Sequence, residues 1–480
     1  LYPPFYNRPL VHYFNYVNGQ LHCEGVPVDR LAEEHGTPLY IYSAQTIQDH
    51  YKKLTTAFGP ADPLICYSTK ANSNLSVLNY MKEMGSGFDV VSGGELERVL
   101  KIGGDPKKVV FAGVGKTDEE IAFALDTDIL LFNVESEEEL ENINRIAAGK
   151  GKIAQCALRI NPDVDPQTHK YITTGKKENK FGVDLNEAKR ILARHGEFPH
   201  VKLNGLHVHI GSQITKVEPY VETLQTVANF LPECQKVGCP VEWLDIGGGF
   251  GIWYKDKLAK SADTIAEPLL PLIQKMGVKL ILEPGRFIVG NAGIVVSRVL
   301  YIKSSGGKNF VICDAGMNDL LRPSLYGAYH RIWPVATEPG VQGEVPSEDT
   351  WEGPHVPTDL VGPICESGDI FTKDRNLPPM KRGDLVAIYS AGAYGFVMSS
   401  TYNSHPRPAE VMVAGDVAEV VTKRETFEDL VKNERNIHHA DQPPVPVRNE
   451  VKVSLGAKKV QRKRRTQMPQ SVRLLPTYFG

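Results

Sequence analysis

The chain has 480 residues, 41% hydrophobic and 23% charged, with a formal net charge of −3. This is the composition of a globular protein, and the length predicts two or three domains rather than one core. No apolar run is long enough to span a bilayer, and the overall charge gives no ground for a nucleic-acid or membrane partner.

The charge is uneven. From Ala440 onward there are nine Lys/Arg against two Asp/Glu, which leaves 45 against 55 before it. The seven cysteines are odd in number and include no C-x-x-C pair. Reduced thiols and a cytoplasmic location are expected. Cys234 and Cys239 lack the second cluster that a zinc site needs, so no metal is expected. The start lacks a basic region followed by an apolar segment, which predicts no signal peptide, and Leu1 in place of methionine suggests a trimmed end.

In chain order, residues 1–43 predict short β pieces at 11–14, 20–23 and 38–42, with a short helix at 27–34. Ser43 is a candidate N-cap for a helix over 44–58. A βα rhythm then begins, with apolar runs at 64–68, 88–92, 109–113, 129–134, 157–161, 206–211, 241–247 and 280–283. Amphipathic helical patterns separate them, among them 185–195, 219–237 and 261–276. Eight such units predict an α/β fold with a (β/α)8 barrel, and a doubly wound open sheet is the structural alternative. The polar insert 162–184 is expected to lie over the barrel's C-terminal face as a loop or lid.

After Gly290 the pattern turns to β: a strand over 294–303, a Gly306-Gly307-Lys308-Asn309 turn, a strand over 310–313, and a candidate hairpin involving 384–389. The expected organisation is an N-terminal segment 1–43 joining a mainly β domain (sandwich or barrel) over 291–435, a barrel over 44–290, and a basic, disordered tail over 436–480.

The strand ends carry chemistry. Lys70 follows an apolar run, and a desolvated lysine suits Schiff-base formation because burial lowers its pKa, although one lysine past a strand is by itself ordinary. Asp89 and Ser92, Arg159, Asp245 with Gly247-Gly248-Gly249, and Glu283-Pro284-Gly285-Arg286 end other strands. The glycines let backbone amides enclose a phosphate. His207 and His209 alternate on a strand and so share a face. A metal site there lacks an identifiable third ligand, which leaves stacking or general-acid roles. Cys365 beside Glu366 is a candidate proton donor or nucleophile.

Together, Tyr67-Ser68-Thr69-Lys70-Ala71-Asn72, His207-Val208-His209-Ile210-Gly211-Ser212, Asp245-Ile246-Gly247-Gly248-Gly249, Glu283-Pro284-Gly285-Arg286, Cys365-Glu366-Ser367-Gly368-Asp369 and Gly392-Ala393-Tyr394-Gly395 resemble the diaminopimelate decarboxylase family. That family lies within the alanine-racemase-like, fold-type III class of pyridoxal-phosphate enzymes. The resemblance covers about 8–435 and leaves the tail outside. It implies that Lys70 holds pyridoxal 5'-phosphate, that His209 stacks on its ring, and that Glu283 meets the ring nitrogen. Ser212, Gly247, Gly248, Gly249, Gly285 and Arg286 would bind the phosphate, with Tyr394 beside the cofactor. Asp89 and Arg159 match positions beside the ring hydroxyl or behind the residues that contact the cofactor. Cys365 resembles the family's proton donor, and Cys365 and Glu366 would come from a second subunit, so a homodimer with shared sites is implied.

Arg286, Arg322, Tyr326, Glu366 and Tyr394 match substrate-contacting positions. Diaminopimelate carries an ammonium and a carboxylate at its distal end, which the forked donors of Arg286 and Arg322 and the acceptor Glu366 would complement. The expected reaction makes L-lysine and CO2. The rivals are a decarboxylase of another basic amino acid or of a carboxylated polyamine, and a non-catalytic regulator like the antizyme inhibitors. Retention of Lys70, Cys365 and Glu283 argues against the last.

Overall fold

The fold is that of a computed structural model describing residues 11–164, 180–255, 259–346, 348 and 351–435. The expected lid therefore lies mostly outside the described residues, as does the tail over 436–480. The description below concerns the compact unit that ends at Lys432.

The N-terminal segment supplies β1 (Phe14–Val17), β2 (Gln20–Cys23), β3 (Val26–Pro27), α1 (Val28–His35) and β4 (Leu39–Ser43). Ser43 caps α2 (Ala44–Ala57), its side chain accepting from the Thr46 amide. Eight strands follow: β5 (Leu64–Ser68), β6 (Gly87–Val90), β7 (Val109–Phe111), β8 (Leu131–Val134), β9 (Ala154–Arg159), β10 (Val201–His207), β11 (Trp243–Asp245) and β12 (Lys279–Leu282). All pair in parallel, and β12 returns to β5, which closes the barrel. Strands β6, β7 and β8 are buried along their whole length, as strands wrapped by helices should be, with Asp89 and Asn133 the polar residues among them.

The second architecture is β. Strands β13 (Gly293–Ser305), β14 (Lys308–Cys313), β15 (Ile332–Pro334), β16 (Gly343–Glu344), β17 (Val356–Val361), β18 (Ile370–Leu377), β19 (Leu385–Ile388), β20 (Ala409–Ala414) and β21 (Val417–Thr422) follow the barrel. The larger sheet runs β18-β17-β14-β13-β4-β20-β21, so β4, from the N-terminal segment, lies between β13 and β20. A four-stranded sheet, β16-β1-β2-β3, packs against the larger sheet through a shared cluster that joins Phe14, Leu21 and Trp333 to Ile41, Val296 and Val411. The hairpin expected at 384–389 is different in kind. Strand β19 pairs antiparallel with β13 and β15, two partners distant in sequence.

Several strand ends also shift. Ser92 is not on a strand but caps the helix Gly93–Lys101. Strand β10 stops at His207, so His209 sits in the turn beyond it rather than beside His207 on one strand face. Strands β6, β7 and β10 stop short of their apolar runs, because the last residues of a run can bury beyond the ladder, whereas β5 matches its run over 64–68.

Candidate active site

Strand β5 ends in a short 3-10 turn, Thr69–Ala71, which carries Lys70. Ser68 pairs in register with Asp89 on β6, which brings the Asp89 carboxylate under Lys70. Lys70 Nζ donates to Asp89 Oδ2 at 2.7 Å, and Ser68 Oγ donates to the same oxygen at 2.5 Å. Burial alone would lower the Lys70 pKa, as the sequence argument assumed, but Asp89, Glu283 and Tyr394 outweigh it and hold the amine above its ordinary value. Lys70 is thus an ammonium in this arrangement, which corrects the expectation that burial frees its lone pair.

The loop after Lys70 is fixed from the β side. The Tyr394 amide donates to the Ala71 carbonyl at 2.8 Å, and Asn72 Nδ2 donates to the Gly392 carbonyl at 3.2 Å. Tyr394 adopts a left-handed backbone (φ 55°) and carries its ring over the Arg286 guanidinium, 4.8 Å from the ring centre.

At the end of β11, Asp245 Oδ1 accepts from the Gly247 amide at 2.8 Å and starts the glycine turn. The turn has no room for side chains. A Cβ on Gly247 would stand 2.4 Å from His209 Nδ1, on Gly248 2.2 Å from the Glu283 carbonyl, and on Gly249 2.3 Å from the Gly211 carbonyl. The Gly248 amide donates to His209 Nδ1 at 3.3 Å. Burial, then Arg159 and Lys70, hold His209 well below the usual histidine range, so it is a neutral ring with Nδ1 as acceptor.

Arg286 opens the short helix Arg286–Val289 and is only 6% exposed. It donates to Ser212 Oγ at 3.1 Å and to the Tyr254 hydroxyl at 2.7 Å. Arg322, 7% exposed, donates to the same Tyr254 oxygen at 3.3 Å and lies over the rings of Tyr254 and Tyr326. Burial would raise the Tyr254 pKa, but the two guanidiniums outweigh it and lower it. Among the described residues neither arginine pairs with a carboxylate, and Arg322 Nε has no partner. Gly285 serves packing: a Cβ there would meet Ser68 and Ala71 at 2.9 Å.

Arg159 forms a buried ion pair with Glu135 at 2.7 Å and reaches the His209 carbonyl at 3.5 Å. Glu283, on the barrel's inner side, accepts from Asn133 Nδ2 at 3.1 Å and faces His207 Nε2 at 3.5 Å. The structure thus gives His207, not His209, two carboxylate neighbours: the ligand atoms of His207, Asp245 and Glu283 lie within 4.8 Å of one another. Asn133 donates into both carboxylates, which marks a hydrogen-bonded network rather than a set of acceptors awaiting a cation. Cys365 and Glu366 stand apart from this assembly. The exposed Cys365 donates its amide to Asn403 Oδ1, and Glu366 accepts from the Tyr402 hydroxyl, both within the β region.

Three further residues belong to the site: Tyr254, Asn133 and Glu135. Tyr254 follows the glycine turn with no spacing signal, since only the fold sets it between two arginines. Asn133 and Glu135 close β8, where the rule that polar strand ends mark the site would have found them.

The donor set fits pyridoxal phosphate: a lysine amine, a glycine turn that excludes side chains, a buried arginine with a serine hydroxyl, and a buried carboxylate inside the barrel. A closed parallel barrel with this set at its C-terminal end defines a fold-type III pyridoxal-phosphate enzyme. The pyridoxal-binding domain of pyridoxal-dependent decarboxylases matches residues 44–290. A diaminopimelate decarboxylase of Aquifex aeolicus is 45% identical over 421 residues, covering 88% of this chain and 97% of the relative. The crystal structure of diaminopimelate decarboxylase from Helicobacter pylori complexed with L-lysine has a TM-score of 0.78 at 41% identity, covering 84% of this chain and 98% of that one. Its counterpart from M. jannaschii in complex with L-lysine has a TM-score of 0.82 at 35% identity, covering 89% and 99%. The chain belongs to the diaminopimelate decarboxylase family and is a pyridoxal-phosphate-dependent decarboxylase.

Proposed function

We propose that this enzyme decarboxylates meso-2,6-diaminopimelate to L-lysine and CO2, as a cytoplasmic homodimer with shared sites. The observation that carries the substrate is the pair of buried guanidiniums, Arg286 and Arg322, bridged by Tyr254 and without a carboxylate of their own among the described residues. Two forked cations in a dry site are stabilised by a bound carboxylate, which diaminopimelate has at its distal end and ornithine and arginine lack.

When bound, pyridoxal phosphate supplies an electron sink for the pair left on Cα as the carboxylate departs. The chain's residues do the rest. Lys70 would hold the cofactor through its amine, which Asp89 positions. The glycine turn, Ser212 and Arg286 take the phosphate, and Tyr394 packs over Arg286. The neutral His209 ring offers a flat face to the cofactor. Glu283 would hold a proton toward the cofactor's ring nitrogen, which would strengthen the sink. Arg159, held by Glu135, braces the turn that carries His209. At the distal end Arg322, with Tyr326 beneath it, and Arg286 bind the carboxylate, while Glu366 from the second subunit accepts from the ammonium. Cys365, also from the second subunit, returns a proton to Cα. The exposed position of Cys365 and Glu366, away from Lys70's own contacts, supports their service to a partner.

The test is CO2 release from meso-diaminopimelate, ornithine and arginine measured in parallel. Turnover of diaminopimelate alone is expected. Turnover of ornithine or arginine with none of diaminopimelate overturns the substrate assignment.

A further inference from the structure

Beneath the glycine turn, inside the barrel, lies a polar network that the proposed chemistry leaves unexplained. Asp245 is fully buried, Asn133 likewise, and His207 and Glu283 are 1% and 4% exposed. Asp245 Oδ2 and Glu283 Oε1 each accept from Asn133 Nδ2 at 3.1 Å. Asp245 Oδ1 meanwhile accepts from the Gly247 amide. The oxygens of the two carboxylates lie within 4.8 Å of each other in a dry interior, where their repulsion adds to the cost of removing each from water and disfavours both being charged. A single proton held between them relieves that repulsion.

We propose that Asp245 is a positioning residue: as a neutral carboxylic acid it donates to Glu283 and accepts from Gly247, tying the carboxylate that faces the cofactor ring to the glycine turn that holds its phosphate. The neighbours decide which partner keeps the proton. Glu283 faces His207 from β10 and the Lys70 ammonium beyond β5, both of which favour its charged form. His207 also lies within 4.8 Å of Asp245, but among the described residues no ion pair reaches Asp245; of the other groups near the pair, Cys66 on β5 is a neutral thiol and Asp89 on β6 is a carboxylate already paired with Lys70. Burial and then Glu283 push Asp245 well above the carboxylate range. Burial would raise Glu283 too, but His207, Lys70 and the hydrogen bond with Asp245 hold it low.

The consequence is chemical as well as mechanical. A carboxylate that already receives hydrogen bonds from Asp245 and Asn133 is a weaker base. A proton shared between Glu283 and an aromatic nitrogen then stays on the nitrogen, the state in which a pyridinium accepts electrons best. This second consequence rests on the reading of Glu283 as the ring partner, whereas the protonation of Asp245 does not.

The test uses full-length holoenzyme. Infrared spectra at pH 8 of wild type and Asp245→Asn are subtracted. A buried carboxylic-acid C=O band should be present in wild type and missing in the variant. Cofactor retention is then read by fluorescence titration with pyridoxal 5'-phosphate. An Asn side chain can still donate to Glu283 and accept from Gly247, so Asp245→Asn should raise the dissociation constant by about threefold at most, against roughly tenfold or more for Asp245→Leu. No band lost on Asp245→Asn means that Asp245 is ionised and overturns the proposal, whether or not the leucine variant folds. Equal loss of cofactor affinity in the Asn and Leu variants overturns the tether. Glu283→Gln separates the two readings: an unchanged pH titration of the cofactor's absorbance would remove Glu283 as the ring partner while leaving the infrared result standing.

Discussion

Arg322 shows what one side chain contributes at this site. Its guanidinium is buried, stacked against Tyr254 and Tyr326, and its Nε has no partner among the described residues. Lysine keeps the charge but has neither the fork nor the flat face. Arg322→Lys is expected to raise KM for diaminopimelate by about tenfold, with a smaller change in kcat, as steady-state CO2 release would show. His330 is a residue with a different consequence. Its Nδ1 donates to the Tyr389 carbonyl at 2.9 Å, and its ring is fully enclosed against Tyr254. Burial, then Arg322, lowers its pKa to about 3. Below its ordinary value of 6.5 the unfolded chain takes up a proton that the folded one refuses, so this contribution to stability falls as the pH drops from 6.5 toward 3. At pH 5 the loss amounts to about 2 kcal/mol. Urea denaturation at pH 8 and pH 5 should show His330→Asn losing about 2 kcal/mol less than wild type between the two.

At the scale of elements, the lysine loop is held by a domain to which it does not belong. Helix α3 (Leu75–Glu83) begins at Asn74, whose side chain caps the Ser76 amide. The same side chain donates to Glu410 on β20 at 2.9 Å, and Tyr42 on β4 donates to Glu410 at 2.6 Å. Glu410 is 1% exposed and also accepts from Thr422 on β21. Removing it strands the buried Tyr42 hydroxyl and takes an acceptor from Asn74 and from the half-buried Thr422, which keep only their bond to each other. Glu410→Ala should cost about 3 kcal/mol in denaturant unfolding and loosen cofactor retention, since the Lys70 loop loses its anchor. Burial raises the Glu410 pKa, which makes the neutral isostere a mild change, so Glu410→Gln should cost only about 1 kcal/mol.

For the whole molecule, the decisive quantity is how many chains make a site. Lys70→Ala and Cys365→Ala are each expected to be inactive alone. If Lys70 of one subunit works with Cys365 of the other, random exchange leaves about one site in four intact, and the mixture recovers about a quarter of wild-type CO2 release. No recovery, with exchange verified by native mass spectrometry of tagged subunits, would assign Cys365 to its own chain's site or to none.

The sequence alone determined the order of eight strands and helices, because burial on both faces writes each strand as an apolar run and the 3.6-residue period marks each helix. Lys70, the glycine turn and Glu283 were legible for the same reason: each sits at the end of such a run, and a barrel sends those ends to one face. Only the tertiary structure decided that Lys70 is held as an ammonium, since Asp89 and Glu283 reach it from β6 and β12 and their charges exceed the effect of burial. It also placed Tyr254 between Arg286 and Arg322, and set Asp245 against Glu283. Those arrangements depend on distances across the barrel between residues far apart in the chain, and periodicity along one chain carries no information about such distances.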